Sequence, residues 1–225
     1  MDRSDSQPVA QPFGPFTPGQ EIPGQKGTYV IQEYLGLGLT AFVYKAQQQG
    51  TGTLVALKVL RDDASAVTAD HFWHEATVLA ELRDAEITNV AQLIDRSDTD
   101  SAVRFLALEY LDRTRFHPLD ELLEKGPLPG GEQAALSLAA QALDLLHRLH
   151  TQVGRTYIDM QLKNFWWNPD DRVLKVIDWN HVSSPRDSIC PEELERFGVQ
   201  DFDGLIRRDL RRFGAYFYRM LTGKG

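Results

Sequence analysis

A lone cysteine, Cys190, is the chain's entire stock of thiol. No internal disulfide can form, and a reducing compartment, the cytoplasm, is the simplest assignment. Positive charge is also scarce: 24 Lys and Arg against 32 Asp and Glu leave a formal net charge of −8. That balance argues against a nucleic-acid partner, which needs a basic face. Charge or glutamine breaks every apolar run well short of the roughly 18–20 residues that span a bilayer, so no membrane span is expected. The N-terminus lacks the basic-then-apolar pattern of a secretory signal, and no repeat of fixed period is visible. What remains is an ordinary globular composition, 42% apolar over 225 residues, with room for one two-lobed domain or two small ones.

Residues 1–26 hold five prolines and four glutamines with almost no aliphatic side chains. Such a segment buries too little to offset its ordering entropy and is read as a flexible leader. From Tyr29 the run YVIQEYLGLGLTAFVYKAQQQGTGTLVALKVL predicts three strands joined by tight turns. Its first turn contains Gly36 and Gly38 and is followed by a strand rather than a helix, which excludes a dinucleotide-binding fingerprint. Glycines in a turn between antiparallel strands let backbone N–H groups come close to phosphates, although hairpins use glycine anyway. Lys58 then sits in the apolar strand Val55-Ala56-Leu57-Lys58, where an ammonium is costly unless it meets an anion. One candidate anion is Glu75, on the following segment HFWHEATVLAEL, whose apolar spacing predicts a helix.

The stretch Tyr157–Asn180 carries the densest chemistry. Asp159 and Asp178 each end a short apolar run, and Asn164 follows Asp159 by five positions. A strand (FWW), a turn (NPDD) and a second strand (VLKVI) lie between Asn164 and Asp178. This arrangement gathers two carboxylates and an amide around one small space, a donor set suited to a hard cation such as Mg²⁺. Taken alone, the stretch is equally compatible with an ordinary hairpin that has polar ends.

Taken in order from about residue 29 onward, these segments resemble the protein kinase family. Gly36, Gly38 and Val43 match its glycine-rich loop, with Ala41 in place of the third glycine. Lys58 matches the lysine of V-A-I-K, and Glu75 the glutamate of the next helix. Asp159 matches the catalytic base, Asn164 the metal-binding asparagine, and Asp178 the metal-binding aspartate of D-F-G. Cys190-Pro191-Glu192 matches A-P-E, and the segment from Asp209 to Gly214 the helix that supports the catalytic loop.

The resemblance implies an α+β fold in two lobes: an antiparallel β lobe with one helix over 27–111, and a mainly helical lobe over 112–225 that stops after the supporting helix. It implies ATP and Mg²⁺ as cofactors, with adenine against backbone groups near Glu109 and Leu111. Ala56 and Val43 would lie above the base and Trp166 below it. The expected activity is phosphoryl transfer to Ser/Thr hydroxyls of a protein substrate.

Several positions depart from the family. H-R-D reads Tyr157-Ile158-Asp159, D-F-G reads Asp178-Trp179-Asn180, and Lys163 stands as the cation nearest the γ-phosphate in place of a lysine at position 161, which is Gln161. Asn180 replaces a glycine and is expected to tolerate a positive φ. Only 15 residues run from Asp178 to Glu192. That short segment and the short helical lobe favour a second reading, a nucleotide-binding or empty pseudokinase that works as a scaffold, and a partner protein could complete or dock on the short helical lobe. The Ile177-Asp178-Trp179 ending suggests a third reading, a small-molecule kinase, against which the glycine turn and V-A-L-K argue.

Overall fold

The computed structural model describes residues 14–158 and 160–224. Its first part is a six-stranded antiparallel sheet. The strands are β1 (Glu21–Pro23), β2 (Thr28–Leu37), β3 (Ala41–Gln48), β4 (Leu54–Leu60), β5 (Leu93–Arg96) and β6 (Phe105–Glu109), in the order β1-β2-β3-β4-β6-β5. The predicted strands of the 29–60 run are thus β2, β3 and β4. Residues 21–23, read from the sequence as part of a flexible leader, instead form β1 and pair with residues 28–30. The single apolar residue Ile22 is enough to anchor this edge, because it is fully buried beside Tyr29 and Ile31. Phe16 also docks, its ring 5.9 Å from that of Tyr44. The rest of the expected leader, residues 1–13, lies outside the described residues.

Alternation along β4 decides which side chains serve the site. Val55, Leu57 and Val59 enter a cluster with Tyr29, Tyr44 and Phe105 on one face of the sheet. Ala56, Lys58 and Leu60 therefore point to the opposite face, where the helix α1 (Ala66–Asp84) lies. Ser65 caps α1 by accepting the Thr68 N–H at 3.2 Å. The buried face of α1 carries Phe72, Glu75, Ala76, Leu79 and Leu82, so the glutamate occupies a position that helical spacing assigns to the core.

After β6 the chain is mainly helical: α2 (Leu119–Leu123), α3 (Gly131–Arg148), α4 (Pro191–Arg196) and α5 (Phe202–Thr222). A small sheet, β7 (His117–Pro118), β8 (Phe165–Asn168) and β9 (Val173–Val176), is set among them. The β8–β9 hairpin is the one the Tyr157–Asn180 pattern predicts. One continuous apolar core joins α1, α3, the hairpin and α5 through Leu79, Leu146, Trp167, Trp179 and Phe213. A π-helical turn, Leu149–Val153, continues α3 and ends at Gly154 with φ 71°. The left-handed conformation favours glycine there, and it turns the chain into the loop leading to Asp159. No helix among the described residues is long and apolar enough to cross a membrane.

Candidate active site

A cavity of about 570 Å³ opens between the sheet and the helical part. Of the residues singled out in the sequence, Gly38, Val43, Ala56, Lys58, Glu109, Leu111, Lys163, Trp166 and Asp178 line it. Gly36, Glu75 and Asn164 do not line it. Gly36 lies in β2 opposite Val43, and Glu75 and Asn164 are buried, 1% and 3% exposed. Asp159 lies outside the described residues.

Lys58 is the electrostatic centre. Its Nζ lies 2.6 Å from Glu75 Oε2 and 3.4 Å from Asp178 Oδ1. Burial opposes the ammonium, but the two carboxylates outweigh that effect and its pKa is pushed up to about 12. Burial also pushes the Glu75 carboxyl up, against the pull of Lys58. The other oxygen of Glu75 accepts the N–H of Trp179 at 3.3 Å. A single buried carboxylate on α1 thereby ties β4 to the segment that follows Asp178. The pairing resolves the cost of a lysine in an apolar strand, as the sequence requires.

Asp178 adopts φ 65°. The sequence reading assigned the tolerance of positive φ to Asn180, and this is corrected: Asn180 is not among the positive-φ residues. The left-handed kink falls two residues earlier, on an aspartate, which tolerates it better than most side chains. Such strain persists only where the surroundings over-determine it. Here the indole of Trp179 is buried, donates to the Val176 carbonyl at 3.2 Å and packs at 4.7 Å against Tyr157. Oη of Tyr157 in turn lies 2.9 Å from the Ile177 carbonyl oxygen and 3.1 Å from that of Asp178. The Asn164 amide donates to the same Oη at 3.3 Å. Tyr157, standing where the family has histidine, thus packs and also holds Asn164 and Asp178 in one frame.

The backbone flanking Asp159 is tied to α5. Tyr157 N–H donates to Asp209 Oδ2 at 2.8 Å, Arg208 Nη1 donates to the Ile158 carbonyl at 2.9 Å, and Tyr216 Oη donates to the Met160 carbonyl at 2.8 Å. His150 Nε2 shares the Asp209 oxygen at 2.9 Å. Nothing in the local pattern shows that α5, some 50 residues later, brings a buried carboxylate to His150.

At the cavity's outer edge Glu109 does more than lend backbone. Its carboxylate accepts from Lys175 Nζ at 2.8 Å and from the Gln92 N–H at 3.3 Å, linking β6 to β9. Arg113, which the sequence did not single out, lies 5.3 Å over the Trp166 ring. Lys163 is exposed, and its carbonyl accepts the Trp166 indole N–H at 3.1 Å.

Residues 29–194 match the family model described as the protein kinase domain. Over 87% of its length the chain is 26% identical to a probable serine/threonine-protein kinase of Clostridium acetobutylicum, of which it covers 30%. Over 93% of its length it is 27% identical to the DNA damage-responsive serine/threonine-protein kinase RqkA of Deinococcus radiodurans, covering 31% of that protein. The chain spans about a third of the length of these curated relatives. A lysine, a helix glutamate and an aspartate meet beneath the cavity, and the match runs through all three; the chain belongs to the protein kinase family.

Proposed function

We propose that the chain is an ATP·Mg²⁺-dependent phosphotransferase acting on Ser/Thr hydroxyls of a protein substrate, in the cytoplasm. The observation that carries this reading is the assembled Lys58–Glu75–Asp178 cluster at the cavity. The donor set fits the implied cofactors. Mg²⁺ keeps several waters and takes one or two carboxylates plus phosphate oxygens; Asp178 brings a carboxylate to the cavity, and Asn164 is linked to the Asp178 backbone through Tyr157 Oη. Gly36 and Gly38 also fit a nearby phosphate chain. A Cβ at Gly36 would meet nothing within 4 Å, a Cβ at Gly38 only the Ala41 carbonyl at 3.5 Å, and neither has positive φ. The fold itself therefore does not require glycine at either position.

Bound ATP supplies the phosphoryl group and Mg²⁺ the charge that offsets its oxygens. Lys58, held by Glu75, would position the α/β-phosphates, and Asn164 and Asp178 would hold the cation. Asp159 would orient the acceptor hydroxyl and take its proton, with Lys163 as the cation near the γ-phosphate. Val43 and Ala56 would lie on one side of the base and Trp166 on the other, with backbone near Glu109 and Leu111 at its edge. A protein partner docking on the helical part would meet the exposed Leu210, Tyr218 and Leu221 along α5. The scaffold reading retains support from the short segment between Asp178 and Glu192.

A melting experiment separates the phosphotransferase from a scaffold that binds no nucleotide, and a transfer assay with labelled ATP separates it from one that does. Saturating ATP·Mg²⁺ at about 100 Kd stabilises the fold by roughly 2.7 kcal/mol. A melting curve that does not move would favour a scaffold without nucleotide.

Activity is also expected to be independent of phosphorylation in residues 181–190. Ile158 offers no donor to a phosphate on this segment, and a short tether has less entropy to lose on ordering. Ser183 is not a candidate acceptor, since it is fully buried and its Oγ accepts the Thr156 N–H at 2.8 Å. Phosphatase treatment and a Ser184→Ala, Ser188→Ala double variant should leave turnover within about twofold of the untreated protein. A tenfold loss, about 1.4 kcal/mol in barrier, would reveal a switch.

A further inference from the structure

Arg155 is a buried charge that the proposed chemistry does not use. It is 3% exposed, four residues before Asp159. Its Nε lies 2.5 Å from Glu81 Oε2 and its Nη2 2.8 Å from Oε1, a two-pronged pair with the last turns of α1. Its Nη1 donates to the Ser183 carbonyl at 2.7 Å. Ser183 and Thr156 are further joined by Ser183 N–H to Thr156 O at 3.0 Å and Thr156 N–H to Ser183 Oγ at 2.8 Å. One arginine of the loop before Asp159 therefore joins that loop to two other elements, α1 and the segment after Asp178.

Glu75 and Glu81 are six residues apart on α1. That separates them by about 9 Å along the axis and places them on different faces. Glu75 is gripped from the sheet by Lys58, and Glu81 from the helical part by Arg155. Holding one helix on two faces from two sides restricts both its rotation and its translation. The forked, charge-assisted geometry suits arginine and cannot be reproduced by lysine.

We propose that Arg155 is a positioning residue of the phosphoryl-transfer site: it locks α1 and the segment after Asp178 onto the loop that leads to Asp159, and so keeps Glu75 on Lys58 without any phosphate. The inference rests on the phosphotransferase reading for its consequence, but the lock itself has a readout that needs neither nucleotide nor transfer.

That readout is backbone hydrogen exchange in α1 and in residues 181–184, followed by peptide mass spectrometry without nucleotide. Both segments are protected while the two-sided grip holds. Arg155→Met should therefore speed their exchange by roughly tenfold, while α3 stays within about twofold of the unaltered chain. Glu81→Gln should shift exchange in the same direction by a smaller factor, and Arg155→Lys should restore part of the protection. Glu81 is about one-third exposed, so Glu81→Gln keeps the test open if Arg155→Met does not fold. Leu123→Ala, a core truncation in α2, is the control for general loosening. Unchanged exchange in the folded variants, or an equal rise in Leu123→Ala, would overturn the proposal. In a transfer assay the Arg155 and Glu81 variants should lose kcat in the same order as they lose protection. If the unaltered chain transfers no phosphate, the phosphotransferase reading fails while the exchange result still decides whether Arg155 locks α1 and the segment after Asp178 onto the loop.

Discussion

Asp159→Asn is expected to lower phosphoryl transfer by roughly 10²–10⁴-fold, the usual worth of a positioned general base, while leaving the affinity for ATP·Mg²⁺ within about twofold. The amide keeps the size of the carboxylate but cannot accept the hydroxyl proton. Nucleotide binding is assigned to other residues, Lys58, Asn164 and Asp178. Asp178→Asn should fail differently. It removes a formal charge from the cation site and one of the two carboxylates near Lys58, so Mg²⁺-dependent nucleotide binding weakens along with turnover. The pair is read by titrating ATP with and without Mg²⁺ in a melting assay and measuring transfer at saturating nucleotide. Equal transfer rates in the unaltered chain and Asp159→Asn would remove Asp159 from the mechanism. Unaltered Mg²⁺ dependence in Asp178→Asn would remove Asp178 from the cation site.

Asp209→Leu is expected to cost the fold about 2–6 kcal/mol, the range for leaving two buried hydrogen-bonding groups without their acceptor. Asp209 is 2% exposed, and its Oδ2 receives both the Tyr157 N–H at 2.8 Å and His150 Nε2 at 2.9 Å. Leucine fills the space but leaves two buried groups without an acceptor, at about 1–3 kcal/mol each. Asp209→Asn keeps one acceptor oxygen and should cost less, which separates loss of hydrogen bonding from loss of volume. Chemical denaturation of the three proteins measures this directly. A loss below about 1 kcal/mol for Asp209→Leu would mean that water or a rearranged loop satisfies the orphaned groups. The same substitution should loosen the loop around Asp159, because it removes one of the three points, Tyr157, Ile158 and Met160, at which α5 holds that loop.

The sequence alone determined those features whose physics is local or periodic. Alternation in β4 puts Lys58 opposite the Val55–Leu57–Val59 face, and helical spacing puts Glu75 on the buried face of α1. The β8–β9 hairpin follows from its turn residues and the apolar runs on either side. The leader was read too far, because a single apolar residue, Ile22, carries too weak a pattern to reveal an edge strand that the sheet completes. The tertiary structure decided what depends on elements distant in sequence. Where the positive φ falls, at Asp178 rather than Asn180, is set by packing of Trp179 against Tyr157, which no local propensity encodes. The pairings Arg155–Glu81, His150–Asp209 and Glu109–Lys175 span 59 to 74 positions. A long-range polar pairing leaves no periodic trace in either of its two segments, since each group looks solvated until the fold brings its counterpart to it.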